Sequence, residues 1–378
     1  YIFMKKIVIA SDSFKGSVSS ADVAQSAREG MLRVFPECEV ICLPIADGGE
    51  GMLDVLIMAT NGQEVPISAH DPLMRWRNTY YGISENEETA FIEMASISGL
   101  PLVPPERRNP MLTTTYGTGE IIRDALERGC RNFIIGIGGS ATNDAGLGML
   151  QALGFRFSDK EGKEVGTGRG EVLIKVAHID STCVHPALNS CRFTVACDVQ
   201  NPFYGPEGAA YVFAPQKGAD REMVEALDAG LQNFAEVIRH TTGKDISHHP
   251  GAGAAGGMGG SLLAFLNAEL KPGIQLMLEA LNFSNKIKSA DLIITGEGKA
   301  DRQTLMGKVP SGILAEARKQ NIPVILLAGN IEDSDELQQA GFEGVFSVNP
   351  PFISLEEAMR PEVARKNIQQ TVESICKK

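Results

Sequence analysis

The chain has 378 residues, 43% of them hydrophobic and 22% charged, which suits two domains with a sizeable core and excludes a disordered or fibrous class. A formal net charge of −12 excludes broad attachment to nucleic acid or to an anionic membrane, because both need a basic surface. A small phosphorylated ligand needs only local positive charge and stays open.

In chain order, "KIVIA" at Lys6 reads as a first strand, Ser19 with Asp22 as a helix start, and "CEVICLPI" at Cys38 as the next strand, together a βαβ unit. "QEVPISA", "RWRNTYYGI" and "TAFIEMA" are strand-like, with "SENEE" as a hairpin turn between the last two, so an antiparallel piece follows. A helix is expected from Thr118 to Arg128, stopped by Gly129, then the strand "NFIIGI", a helix at Leu147, the strand "RFTVACDV" at Arg192 and a long helix from Asp220 to about Thr241. Alternation returns with "ADLIITG" at Ala290, a helix from Pro310 to Gln320, "PVILLAG" at Pro323, a helix near Asp335, "GVFSV" at Gly344 and a helix after Pro361. The fold class is therefore α/β, with two α/β domains and an active-site cleft between them. One, Rossmann-like with a mainly parallel sheet, is expected over residues 1–66 and 285–378; the other, an inserted mixed α/β domain, over 67–284.

Seven cysteines without a C-x-x-C pair fit reduced thiols and a cytoplasmic location. The opening apolar run "IVIA" is too short for a signal-peptide core, and Met4 could be the natural start. The longest uncharged segment, Pro250 to Ala268, is mostly Gly and Ala and gains little from lipid.

The stretch "GIGGSATNDAGLGML" at Gly136 satisfies the loose dinucleotide pattern through Gly136, Gly138 and Ala141. The acid expected about 20 residues on is missing from a strand end, since Asp159 falls in the turn-like "SDKEGKE". A phosphate cradle explains the residues better: Gly138 and Gly139 let amides approach an anion, Ser140 and Thr142 add hydroxyls, and the following helix aims its positive end at the pocket. A tight strand-to-helix turn is the bland alternative. "PGAGAAGGMGGSLLAFL" at Pro250 is a second glycine stretch entering a helix, read as an anion or adenine-ribose site, with close helix packing as the other explanation.

Acids follow several expected strands: Asp12 with Ser13 and Lys15, Asp47 with Glu50, Asp198 with Asn201, and Glu297 with Asp301 and Gln303. Each alone is usually a turn or cap. Loops beyond the carboxyl ends of parallel strands converge, however, and together these suggest a metal-assisted site handling phosphate. Lys15 and Lys308 are the candidate cations. Neither a G-x-x-x-x-G-K-[ST] loop nor the H-R-D and D-F-G pair occurs, no G-x-S-x-G elbow is present, and the adjacent His248 and His249 suit no zinc site.

Nearly end to end, the chain resembles the bacterial glycerate kinase family of the glycerate 2-kinase type. The motifs that carry this are "KIVIASDSFKGS", "PIADGGEG", "AFIEMASISGL", "TTTYGTGE", "IIGIGGSATNDAGLGMLQALG", "ACDVQNPFYG", "APQKGAD", "PGAGAAGGMGGSLLAFL" and "LIITGEGKADRQTLMGKVP". Ser11 stands where the family commonly has proline. The resemblance implies phosphorylation of D-glycerate by ATP with Mg²⁺, giving 2-phosphoglycerate, with 3-phosphoglycerate left open by the residues themselves. It also implies a cytoplasmic sugar-acid route; the alternative is a non-enzymatic two-domain sensor or carrier of small hydroxy acids. By residue type, Asp198 is the expected base, Asp301 the runner-up, and Lys15 a catalytic cation. Asp47, Glu50 and Glu297 are expected at Mg²⁺. Asp12, Ser13, Lys15, Gly138, Gly139, Ser140, Asn143 and Asn201 are expected at substrate, and Gly251, Gly253, Gly256, Gly257, Gly298 and Lys308 at the nucleotide.

Overall fold

The computed structural model describes residues 4–46 and 51–377. They form strands β1 (Lys6–Ile9) and β2 (Glu39–Cys42), then β3 (Gln63–His70), β4 (Trp76–Ile83), β5 (Thr89–Glu93), β6 (Asn132–Gly136), β7 (Arg156–Ser158), β8 (His178–Asp180), β9 (Arg192–Ala196) and β10 (Glu269–Lys271). β11 (Leu292–Ala300), β12 (Val324–Ile331) and β13 (Gly344–Ser347) complete the set. Two compact units result: Tyr1–Val55 with Ile274–Lys378, and the continuous stretch Leu56–Gly273.

The first unit is built on a five-stranded sheet of order β13-β12-β11-β1-β2 in which every neighbouring pair is parallel. Strands covered on both faces must be apolar throughout, which is why Ile7, Val8 and Ile9 are fully buried and why β11 opens on Leu292, Ile293 and Ile294. Helix Ser20–Val34 starts where Ser19 accepts the Asp22 amide at 3.1 Å. It packs along helix Pro361–Cys376 so closely that a Cβ on Gly30 would lie 2.3 Å from the carbonyl oxygen of Gln369.

The second unit has a six-stranded sheet of order β10-β9-β6-β5-β4-β3. β5, β6, β9 and β10 run parallel, and β4 and β3 extend the sheet as antiparallel strands. The carboxyl ends of the four parallel strands therefore share one edge. Helix Tyr116–Glu127 buries Ile121, Ile122, Ala125 and Leu126, while helix Arg221–Thr242 begins at an Asp220 cap and buries Leu227, Leu231 and Phe234. Among the described residues no helix is long and apolar enough to cross a membrane.

Replacing Gly30 by Val forces a branched side chain against backbone that cannot swing aside. A loss of about 1–3 kcal/mol is expected, the usual cost of overpacking. Urea unfolding followed by circular dichroism checks it, and an unchanged midpoint would show that the two helices separate at no cost.

Candidate active site

In the first unit the chain leaves β1 toward β2 on one side, and β11 then joins β1 on the other. The strand order reverses between β1 and β11, the place where open α/β sheets leave a crevice beyond the strand ends. Asp12, Ser13 and Lys15 lie there. The Asp12 amide donates to Gly296 O at 3.0 Å, and Asp12 Oδ1 accepts the Ser13 amide at 2.7 Å. A Cβ on Gly298 would sit 3.4 Å from the Lys15 amide nitrogen, so the β1 loop passes directly over β11.

Glu297, on β11, is buried, with Oε2 at 3.5 Å from Lys308 Nζ and with Oε1 lacking a hydrogen-bond partner among the described residues. Burial pushes its carboxyl above the usual range, against a hydrogen bond from Thr304 and the Lys308 charge. Thr295 shares that face of the strand two residues earlier, and its buried hydroxyl is likewise unpartnered. Sequence reasoning missed Thr295, because its meaning depends on burial beside Glu297. Lys308 stands at the N-cap of helix Val309–Arg318, after Gly307 at φ +84°.

Asp301 is engaged in a cap: its Oδ1 accepts the Gln303 amide at 2.8 Å and its own amide donates to Thr304 Oγ1 at 2.9 Å. Burial pushes the Asp301 carboxyl up, but the Gln303 amide and the charges of Lys308 and Lys299 outweigh it and hold the group below its usual value. Asp47 and Glu50 lie outside the described residues. Among those described, no three of His, Cys, Asp or Glu are grouped to hold a metal ion. A single orphaned carboxylate oxygen fits Mg²⁺, which binds through one or two carboxylates and keeps several waters.

In the second unit the long loop after β6 holds Gly138, Gly139, Ser140 and Asn143, four of the expected site residues. Its amides and carbonyls are tied to the neighbouring segment after β5: Met94 N donates to Gly136 O, Leu100 N to Gly139 O, and Ala141 N to Ser98 O. Gly138 and Gly139 are exposed, with no atom within 4 Å of a Cβ on Gly138 and only Ala95 Cβ, at 3.5 Å, near one on Gly139. Gly139 has φ +74°, a region other residues enter only with strain.

Below those glycines the side chains are buried. Asp144 is wholly enclosed, and its carboxylate collects four donors: the Thr115 amide at 2.9 Å, Thr115 Oγ1 at 2.8 Å, the Gly146 amide at 3.1 Å and the Gly148 amide at 3.2 Å. Burial pushes its carboxyl up while these bonds pull the other way. The start of helix Leu147–Ala152 is thus closed by Asp144, which corrects the expectation that this helix aims its positive end at a ligand. Thr142 Oγ1 and both amide atoms of Asn143 are buried without partners among the described residues.

Lys217, absent from the expected site residues, is 2% exposed and reaches this loop from a distant turn, with Nζ at 2.7 Å from Ser140 Oγ and 2.6 Å from Thr142 O. Burial pulls its ammonium down to about 7, and the Asp144 charge opposes that shift. "APQKGAD" was visible as a motif, but a lone lysine in a turn gives no sign that it is buried.

The second glycine stretch is spent on packing. A Cβ on Gly253 would lie 2.2 Å from Pro202 O, one on Gly256 2.1 Å from Thr142 O, one on Gly257 2.9 Å from Phe203, and one on Gly251 3.0 Å from Leu270. All four are buried. Gly256 holds the first loop as well, since its carbonyl accepts the Ala145 amide at 3.0 Å. Ser261 adds a hydrogen bond to Ala145 O. These contacts give each of those glycines a reason independent of a nucleotide. Asp198, just past β9, is exposed, and its Oδ1 accepts the Gly273 amide at 2.8 Å. Asn201 donates from its side chain to Glu207 O at 2.8 Å.

Lysines and acids beyond the ends of parallel strands, with no P-loop motif, fit an α/β phosphotransferase. More narrowly, the chain belongs to the glycerate kinase family, whose model matches residues 7–378. It is 48% identical to the glycerate 2-kinase of Escherichia coli K12 over 94% of this chain and 93% of that one. It is 45% identical to the glycerate kinase of Haemophilus influenzae over 98% of each. A Salmonella typhimurium LT2 crystal structure provisionally named glycerate kinase 2 matches with a TM-score of 0.90 at 44% identity, covering 99% of this chain and 98% of that one.

Folding lowers the Lys217 pKa, so between about 7 and 10.5 the unfolded chain binds the extra proton and stability rises with pH. Replacing Lys217 by Met should flatten that rise by up to about 1.4 kcal/mol per pH unit, one proton's worth. Urea unfolding at several pH values across the window measures the slope, and equal slopes would place the titration elsewhere.

Proposed function

We propose that this protein transfers the γ-phosphoryl group of ATP to D-glycerate and releases 2-phosphoglycerate. The family membership and the 48% identity to a glycerate 2-kinase support the reaction and the choice of the 2-hydroxyl. The observation that carries the site is the loop after β6: two exposed glycines above a hydroxyl and an amide that are buried with nothing to bond. Such groups cost free energy unless a ligand completes them.

In this reading Asp198, with Asn201 beside it, receives the proton of the attacking hydroxyl. Asp301, whose carboxyl is held low and accepts the Gln303 amide, is the runner-up for that role. Gly138, Gly139, Ser140 and Asn143 hold the small acid or the moving phosphoryl group. Asp12, Ser13 and Lys15 sit at the first unit's switch point and contribute there, with Lys15 offsetting charge. Lys308 faces the nucleotide phosphates, and Gly298 lets the β1 loop approach them. Glu297, with Asp47 and Glu50 from outside the described residues, would hold Mg²⁺, which when bound supplies charge to the phosphate oxygens. The two units are the kinase's two domains, its partners are small molecules, and its location is the cytoplasm.

Incubation with ATP, Mg²⁺ and D-glycerate should give ADP and the NMR spectrum of 2-phosphoglycerate. No turnover would leave the protein as a binder of small hydroxy acids, and 3-phosphoglycerate would redirect the attack to the other hydroxyl. Replacing Asp198 by Asn should lower kcat by about 10²–10⁴, the span of a general base. Near-normal turnover in steady-state assays would move that role to another group.

A further inference from the structure

The loop after β6 rests on a lysine that the reaction as described does not use. Lys217 has two acceptors among the described residues, Ser140 Oγ and Thr142 O. A neutral amine has two N–H groups and an ammonium has three. The two acceptors therefore satisfy the neutral form and leave one N–H of the charged form without a partner. Directly along the chain, Thr142 Oγ1 and the Asn143 amide also lack partners.

Among the described residues, the charge that acts on Lys217 is that of Asp144, and other titratable groups lie on the elements packed nearby. From the loop after β6 comes Asp144, which acts on Lys217 through its charge while its Oδ2 accepts from Thr115 and the Gly148 amide and its Oδ1 from the Gly146 amide. The helix Ala209–Phe213 packed on the Pro215–Lys217 turn carries Tyr211, which is exposed. Arg108 meets the turn through its backbone, where its carbonyl oxygen lies 2.2 Å from a Cβ built on Gly218. Asp228, on helix Arg221–Thr242, is bound to the Gly205 amide and to Gln232.

We propose that Lys217 is a positioning residue that holds the loop of residues 138–143 ready for an anionic group, and that anion binding there draws a proton from solvent onto its Nζ. No covalent bond to the ligand forms; the amine lone pair takes the proton, and the third N–H gains an acceptor in the anion or in the loop it orders. A buried lysine whose ordinary value has been pulled to about 7 by burial is close enough to neutrality for one added negative charge to shift it. The proposal rests on the glycerate kinase reading for the identity of the anion.

The test titrates 2-phospho-D-glycerate into the intact protein by calorimetry at about pH 8, in two buffers of different ionisation enthalpy, for wild type and K217R. Wild type should take up a fraction of a proton beyond the ligand's own titration. K217R should take up none beyond it, because arginine remains charged. In steady state, K217M should raise the KM for D-glycerate by about tenfold or more, and K217R should recover part of the loss. Equal uptake in wild type and K217R, no uptake in wild type, or no binding of the probe overturns the proposal. If neither variant folds, wild-type uptake measured from about pH 7 to 9 decides alone, since only a group near neutrality gives a value that changes across that range. Proton uptake without ATP-dependent turnover would instead count against the kinase reading and leave the role of Lys217 standing.

Discussion

A carboxylate sealed from water organises the second unit. Unpaired, a buried Asp144 would cost several kcal/mol. With four donors it becomes a junction, joining the segment around Thr115 to the start of helix Leu147–Ala152 and fixing the end of the loop between them. Lys217 fastens the middle of the same loop through Ser140 and Thr142. Because both anchors lie inside, Gly138 and Gly139 stay at the surface without a side chain to obstruct an approaching anion. Rigidity beneath and access above are what a site for a small charged substrate requires.

The first unit reaches a comparable result by topology. Strand order reverses at β1 and β11, the place where open α/β sheets take up ligands, and the residues there are the short run Asp12–Lys15 and the pair Glu297 and Lys308. Glu297 keeps one oxygen unbonded although it is buried, and Thr295 does the same on the same face. A core built for stability alone would not leave both without partners.

Most of the architecture was legible from local pattern. Buried parallel strands are apolar throughout, so "KIVIA", "NFIIGI" and "PVILLAG" could be recognised directly, and Ser19 announced its helix as a cap. The two glycine-rich stretches show where such reading ends. By composition they are alike, yet Gly138 and Gly139 of the first lie open while Gly253, Gly256 and Gly257 of the second are pressed against Pro202, Thr142 and Phe203. What separates them is the approach of chain segments more than a hundred residues apart, as between Thr142 and Gly256. Lys217 was invisible for the same reason, since only tertiary contact tells a solvated lysine from a buried one. Asp144, read as part of a motif, proved to occupy the helix end that had been expected to receive the ligand.

The position of β1 has a consequence for how the polypeptide matures on the ribosome. It is a central strand made first, yet its neighbour β11 pairs Ile7 with Leu292, roughly 285 residues later. At about 5–20 residues per second of translation, that partner is about 15–60 s away. The Leu56–Gly273 unit, being continuous, has all its strands in hand by Lys271, shortly before β11 is made. One flank of an apolar strand therefore stays unmatched until β11 is made, so a nascent chain stalled before β11 exposes an unpaired strand edge.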